Sequence, residues 1–182
     1  MLIHYLLFSK KDSSTYGYAL LLLLSVLGCK QTKDSEENMG INNHEQIASE
    51  QQTLTEENRE IMTDFADVFY GQKDVVKAFE KYVSEEYTQH NPNILDGQQA
   101  AVDALKLMFE NPDTRFDVKR ILVDGDLAMI HLHAKKDSTA LGGTVADLYR
   151  IKDGKIVEHW DIMQPIPANA INSHPMFEKT VK

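Results

Sequence analysis

The chain has 182 residues, enough for one ordinary domain with additional segments but too few for two well-buried cores. Its 42% hydrophobic and 26% charged residues exclude a wholly disordered or fibrous protein. Because 28 acidic side chains outnumber 19 basic ones, giving a formal net charge of −9, we expect no nucleic-acid partner. The single cysteine excludes an internal disulfide and a cysteine-based zinc cluster.

The N-terminal region has the order of a secretory signal peptide. Lys10 and Lys11 precede an apolar run that ends at Cys29, and polar sequence follows. The run is shorter than the roughly 20 residues that a membrane-spanning helix needs. We therefore predict a signal peptide over residues 1–28 and export to the bacterial periplasm.

Residues 26–29, Val-Leu-Gly-Cys, resemble the lipobox of bacterial lipoproteins, in which the cysteine is diacylated and becomes the N-terminus. The resemblance implies lipidation of Cys29 and a lipid anchor in the outer membrane, since Lys30 rather than an aspartate follows. Cleavage by a general signal peptidase is the alternative, because Leu27 is larger than the small residue usual there. Residues 29–52 are polar and are predicted to form a disordered tether.

Helical periodicity follows the tether. Apolar residues recur at helical intervals between Thr53, which has capping-box spacing, and Gly71, a C-terminal stop. Asp74 can cap a short second helix, and Asp96 can cap a third helix that Pro112 ends. The sequence therefore predicts three consecutive helices.

After the helices, the period changes to that of β-strands. Asp-Gly pairs at Asp124 and Asp153 are turn signals between apolar runs. With the loop of residues 135–143 between them, these hairpins predict a meander of four antiparallel strands. Three helices followed by a meander indicate an α+β domain over residues 53–170, with helices covering one face of the sheet and a tail over residues 171–182.

Polar side chains on the predicted strands are candidates for chemistry. His131 and His133 point to the same side of their strand, because side chains alternate with period two. Two imidazoles so placed could ligate a metal, but no regularly placed third ligand accompanies them, and we predict no metal site and no cofactor. Asp147 stands between apolar neighbours on the next strand, where a covered face would desolvate it.

The last predicted strand carries Glu158, His159, Trp160 and Asp161 in succession. Alternation puts His159 and Asp161 on one face of the sheet and the other two on the opposite face. The sequence does not determine which pair points inward.

The joint spacing of several short motifs closely resembles the SnoaL-like family of the nuclear transport factor 2-like superfamily, over roughly residues 58–170. In chain order, the motifs are Tyr87 to Pro92, Asp96-Gly97, Asp124 to Asp126, Asp147 to Arg150, Asp153 to Asp161 and Gln164-Pro165. The resemblance implies a cone-shaped α+β barrel, in which about three N-terminal helices pack on a curved, mainly antiparallel sheet of about four strands. It also implies an apolar pocket and, often, a homodimer formed through the sheet.

In its polyketide cyclase members, the family implies cofactor-free aldol chemistry with an Asp as general acid/base. We accordingly predict a pocket for a small apolar or carbonyl-containing ligand. The candidate catalytic residues are Asp147 as the base, with Asp161 as the alternative acid, and His131 and His90 as donors, with Trp160 as a further possible donor. The candidate ligand-binding residues are Asn91, His133, Trp160, Asp161, Tyr149 and Gln164.

Other interpretations of the same residues stay open. Asp147 could pair with Arg150 on the surface, and the strand histidines could be ordinary residues bonded to the backbone. The protein could then be a non-catalytic ligand-binding lipoprotein, or a structural lipoprotein whose pocket is filled.

Overall fold

The computed structural model describes residues 43–177. The predicted signal peptide, Cys29 and the beginning of the predicted tether lie outside these residues, as does the end of the predicted tail. The chain divides into the units Met1–Ala48 and Ser49–Lys182. In the first unit, the described residues 43–48 are helical. None of the helices in the described part of the chain is both long enough and apolar enough to cross a membrane.

The unit Ser49–Lys182 contains three helices, with a strand between the second and the third. Within this unit, α1 comprises residues 49–66, α2 Val75–Tyr82 and α3 Gln98–Glu110. Helical structure therefore starts before Thr53 and includes residues that the sequence assigned to the tether. At its C-terminal end α1 continues into a π-helical turn, Asp67–Gly71.

The two predicted helix caps have different outcomes. Asp74 caps α2 as predicted, since its Oδ1 accepts the backbone N–H of Lys77 at 3.0 Å. The predicted cap at Asp96 is wrong, because Gly97 occupies the position before α3. Asp96 Oδ1 instead accepts the backbone N–H of Gln89 at 2.7 Å and holds the end of a strand.

One sheet of five strands follows the order β1-β5-β4-β3-β2. The strands are β1 Val83–Gln89, β2 Arg115–Asp124, β3 Leu127–Lys135, β4 Gly143–Lys152 and β5 Lys155–Pro165. β1 pairs with β5 in parallel, and the other neighbours are antiparallel. The α+β class and the four-stranded meander are thus confirmed, with a fifth strand added at one edge.

The fifth strand, β1, was not predicted because its sequence does not show the alternation typical of a strand. Val83, Tyr87 and Gln89 are buried, but Glu85 and Glu86 stand side by side between them and break the alternation. The pairing with β5 is also irregular between Val83 and Thr88. An edge strand with an irregular register gives no clean period of two.

The core lies between the helices and the inner face of the sheet. Its largest fully buried side chains are Phe65, Phe109, Met62, Ile130, Leu132 and Ile156. The turn between β2 and β3 is fastened to α1 through both backbone groups of Gly125. The Gly125 carbonyl accepts from Asn58 Nδ2 at 2.8 Å, and its N–H donates to Thr55 Oγ1 at 2.9 Å. This attachment sets the position of α1, and with it the π-helical turn that reaches the site.

Candidate functional site

A cavity of about 320 Å³ lies between the helices and the sheet. Most of its wall is apolar, and its aromatic part comprises Phe65, Phe69, Phe79, Phe109, Phe116, Tyr70, Tyr87 and Tyr149. The polar part comprises Asp147, Asp161, His159, Gln89, Asn91 and Asn93. A mainly apolar cavity with a few convergent polar groups is the usual form of a small-molecule site.

Asp147 is the centre of the polar part. It lies on β4, is 8% exposed, and its Oδ2 accepts a hydrogen bond from the Tyr70 hydroxyl. The Tyr70 oxygen lies 2.7 Å from that of Tyr149, so that Tyr149 can donate to Tyr70 while Tyr70 donates to the carboxylate. Tyr70 belongs to the π-helical turn at the end of α1, a kind of irregularity frequent at functional sites.

Three buried tyrosines of the wall stay protonated over the ordinary pH range. Burial, and after it the charge of Asp147, raises the pKa of Tyr70, Tyr87 and Tyr149 above the usual value. The cavity therefore presents phenol groups as hydrogen-bond donors and no phenolate.

These raised pKa values predict a loss of stability at alkaline pH. In the unfolded chain a tyrosine ionises with a pKa of about 10, whereas Tyr70, Tyr87 and Tyr149 hold their protons in the fold. Their contribution is complete below about pH 10 and is lost as the pH rises further. Ultraviolet titration should therefore show these tyrosines ionising together with unfolding. Their ionisation in a still-folded protein near pH 10 would contradict this account.

The hydrogen bonds of Gln89 fix the tautomer of His159. Gln89 Oε1 accepts the backbone N–H of Asn91 at 2.9 Å, and Gln89 Nε2 donates to the Tyr87 hydroxyl at 3.1 Å. Because Oε1 is an acceptor, the His159 Nδ1 that lies 2.9 Å from it must carry a hydrogen. His159 Nε2 is thereby left to face Asp147.

His159 and Asp147 are placed to exchange a proton. His159 Nε2 lies 3.3 Å from Asp147 Oδ1, and both residues are buried. A proton at this contact can be bound to Nε2, which then donates to the carboxylate, or to Oδ1, which then donates to the neutral imidazole. The pair therefore offers a proton path between a carboxyl group and an imidazole at the wall of an apolar cavity.

Asp161 completes the polar part beside this pair. It faces Asp147 across the β4–β5 pairing, and its Oδ2 accepts a hydrogen bond from Asn91 Nδ2. Ligand atoms of Asp147, His159 and Asp161 all lie within 4.8 Å of one another, close enough for these three residues to share a metal ion.

Four residues predicted from the sequence line the cavity together: Asp147, Asp161, Tyr149 and Asn91. The open question about the last strand is also answered, since His159 is buried and lines the cavity with Asp161. Glu158 and Trp160 are on the outer face of the sheet.

The structure does not bring His131 or His133 to the cavity. Alternation puts them on the outer face of β3, because the inner positions are taken by Ile130 and Leu132. His131 Nε2 lies 2.7 Å from Thr144 Oγ1, and His133 Nε2 lies 2.8 Å from the Leu141 carbonyl oxygen. His131 therefore does not lie beside Asp147, where it was expected to act as a donor.

His90 also lies outside the cavity wall. Its ring stacks on Trp160 with centroids 4.6 Å apart, and its Nε2 lies 2.8 Å from Glu158 Oε1. The hydrogen bonds from His90 and Arg150 lower the pKa of Glu158. Gln164 is exposed at the end of β5. His90, Trp160, Glu158 and Arg150 form an outer cluster, and Gln164 lies apart from it. The predicted ligand contacts of Trp160 and Gln164 and the donor role of His90 therefore have no support in the cavity geometry.

Tyr70, Tyr87, Gln89 and His159 line the cavity but were not named as candidate catalytic or ligand-binding residues, although Tyr87, Gln89 and His159 lie in motifs that indicated the family. Tyr70 gave no signal, because its position in a helical apolar pattern is indistinguishable from that of a core residue. The alternation of side chains along the last strand placed His159 on the same face as Asp161, and this was the signal in the sequence that could have identified His159.

A sequence comparison decides the family. The SnoaL-like domain family matches residues 62–159, more than half of the chain. The chain belongs to the SnoaL-like domain family. A search of curated proteins found no match.

Solved structures show the same fold. One is a nuclear transport factor 2-like protein of unknown function from Mesorhizobium loti, 28% identical, with a TM-score of 0.53 over 60% of this chain and 93% of that one. A provisionally assigned ketosteroid isomerase from Kribbella flavida is 16% identical, with a TM-score of 0.53 over 69% and 90% of the two chains. A provisionally assigned SnoaL-like polyketide cyclase from Jannaschia is 15% identical, with a TM-score of 0.51 over 60% and 87%.

Proposed function

We propose that this SnoaL-like protein binds a small, largely apolar carbonyl compound and moves a proton on it by cofactor-free acid/base catalysis, in a reaction of the aldol, cyclase or isomerase type. The observation that carries the proposal is the buried contact between Asp147 Oδ1 and His159 Nε2 at the wall of an aromatic cavity. Names of polyketide cyclase and ketosteroid isomerase on two structures of this fold agree with a carbonyl substrate.

Proton abstraction next to a carbonyl needs a base, and Asp147 supplies it. With Asp147 ionised and His159 Nε2 free of hydrogen, the proton removed from carbon adds to Asp147 Oδ1, passes to Nε2 and later returns to the substrate by the same path, while Gln89 keeps Nδ1 protonated. Tyr70 donates to the second oxygen of Asp147 and orients the carboxylate. The largely aromatic wall lowers the local dielectric constant, which strengthens each of these electrostatic interactions.

The enolate oxygen formed in such a step needs a donor, and Tyr87 offers one. Its oxygen accepts from Gln89 Nε2 at 3.1 Å, so that its own hydrogen remains to be donated. Tyr87 lines the same cavity, and its raised pKa keeps it protonated. A donor aimed at developing negative charge is the usual way in which enzymes stabilise an enolate.

A test that requires no knowledge of the substrate uses nitrobenzisoxazole, an apolar compound that opens to a coloured phenolate when a base removes its ring proton. We expect saturable turnover above the buffer rate, inhibited competitively by β-tetralone, an apolar ketone. Turnover that does not saturate, or that β-tetralone leaves unchanged, would place the reacting base outside the cavity.

A non-catalytic ligand-binding protein is the second candidate. Both oxygens of Asp147 already have hydrogen-bond partners, Tyr70 and His159, so the polar network is complete without a ligand. This candidate predicts that β-tetralone binds in the cavity while nitrobenzisoxazole turnover stays at the buffer rate.

We also propose that the protein forms a homodimer through the outer face of its sheet and that Cys29 anchors it to the outer membrane. Leu122 and Ile162 on the outer face are 53% and 65% exposed. Apolar side chains so exposed mark association surfaces when they are grouped.

Replacing Ile162 with glutamate is expected to convert the dimer into a monomer, because a charge would be buried at the interface. Sedimentation velocity measures the change. Leu107→Glu is the matched control, since Leu107 is 80% exposed on α3, away from the sheet. A wild-type monomer, or equal effects of the two variants, would exclude this interface.

A further inference from the structure

The cavity wall has an excess of negative charge. Asp147 and Asp161 both place a carboxyl group in this wall. No lysine or arginine within residues 43–177 lines the cavity. A bound anion would therefore meet a negative wall with no compensating cation.

Asp161 is half-buried, and within residues 43–177 no lysine or arginine is hydrogen-bonded to its side chain. The donor to Oδ2 is the neutral amide of Asn91. Burial is the main cause of the raised pKa of Tyr87 and Tyr149, and the charge of Asp161 adds to it in both. A carboxylate beside an apolar wall attracts a cation more strongly than one in water, so a ligand that brings a cation would gain from Asp161.

We propose that the ligand is an amine-bearing carbonyl compound, whose protonated amine pairs with Asp161 while its carbonyl group lies at Asp147 and His159. This rests on the proposed function. Tyr87 and Tyr149 add ring faces to the same cavity, and aromatic faces attract organic cations.

The short separation of the polar groups lets one small ligand reach all of them. The ligand atoms of Asp161, Asp147 and His159 lie within 4.8 Å of one another. A nitrogen at about 2.8 Å from Asp161 and a carbon at roughly 3–3.5 Å from the base can therefore belong to the same small molecule. The geometry fits an amino ketone with its amine close to the reacting carbon.

A divalent metal ion is the other cation that these three residues could hold. The observations favour the organic cation, because Asp147 Oδ1 and His159 Nε2 already contact each other and would have to separate to bind a metal. A metal ion would also sit in a wall that is mostly aromatic.

The test compares three ligands of matched size and different charge by calorimetry on the wild-type protein: β-aminotetralin, β-tetralone and β-naphthoate. We expect the amine to bind at least about tenfold more tightly than the ketone, and the carboxylate to bind more weakly than both. Equal affinities, or tightest binding of the carboxylate, would overturn the proposal. So would stoichiometric binding of zinc chloride alone together with no preference for the amine.

Asp161→Asn identifies the residue responsible. The ratio between the affinities for amine and ketone should fall toward one in this variant. Asp153→Asn, a change at an exposed turn whose positive φ of 51° suits asparagine, should keep the wild-type ratio. An unchanged ratio in Asp161→Asn would reject Asp161 as the counter-ion.

Nitrobenzisoxazole turnover separates this proposal from the proposed function. Turnover without a preference for the amine would refute only the proposal that the ligand carries a positive charge. An amine preference without turnover would refute the catalysis and leave Asp161 as a binding residue.

Discussion

Replacing Asp147 with asparagine is expected to lower nitrobenzisoxazole turnover by about 10²- to 10⁴-fold, the usual contribution of a general base. Asparagine has the same shape as aspartate but cannot accept a proton from carbon. It can still accept from Tyr70 through its carbonyl oxygen and donate to His159 Nε2 through its amide, so both hydrogen bonds of the site are kept. The melting temperature should therefore change little.

Asp153→Asn is the matched control for this variant, because Asp153 is exposed at the β4–β5 turn. It should retain wild-type turnover. Equal turnover by Asp147→Asn and the control would reject Asp147 as the base. A large drop in the melting temperature of Asp147→Asn would mean that the site network is structural as well.

Replacing Phe65 with alanine is expected to reduce the free energy of unfolding by about 3–5 kcal/mol. Phe65 is 1% exposed and packs its ring against Phe69, with centroids 5.0 Å apart, and against Tyr149, with centroids 5.4 Å apart. Removing the ring loses these contacts and leaves a void beside the cavity, which the surrounding helices and strands can close only in part.

Urea denaturation measures the loss at Phe65. The neighbouring Asp64→Ala is the control, because Asp64 is exposed on the same helix and its replacement should change stability by only about 0.5 kcal/mol. A loss below roughly 1 kcal/mol in Phe65→Ala would show that the aromatic core re-forms around the void, and would contradict the rigid cavity wall on which the site depends.

Most of the fold could be predicted because its signals are local. The Asp-Gly pairs at Asp124 and Asp153 mark the two hairpin turns, and both turns occur where predicted. The helical period up to Gly71 identifies α1. The edge strand β1 could not be predicted in this way, because its adjacent glutamates interrupt the alternation and its partner, β5, lies about 70 residues later in the sequence.

A bulge explains why the inner face of β5 could not be predicted. From the turn, Ile151 pairs with Ile156, but the register shifts between Arg150 and Ile151. If the pairing continued without the shift, Asp147 would lie opposite Trp160. Glu158 and Trp160 would then face inward in place of His159 and Asp161. The extra residue instead sets Asp147 opposite Asp161. A single irregularity thus decides which side chains form the site.

The partners of Asp147 depend on tertiary structure. Asp147 could be singled out because an acidic residue between apolar neighbours on a strand is unusual. Tyr70 comes from the end of α1 and Gln89 from β1, so no spacing in the sequence connects them to β4. Tertiary structure likewise places His159 and Tyr87 in the cavity with Asp147, whereas His131 and His90 lie outside it.

Deuterium uptake at the carbons next to the carbonyl of β-tetralone in heavy water, followed by proton NMR, tests the central claim most directly. If the Asp147–His159 pair moves a proton on a bound carbonyl compound, the wild-type protein will exchange these hydrogens faster than buffer, with saturation at high ketone concentration, and Asp147→Asn will not. Binding of β-tetralone in the cavity with exchange at the buffer rate would contradict the account and leave a ligand-binding protein.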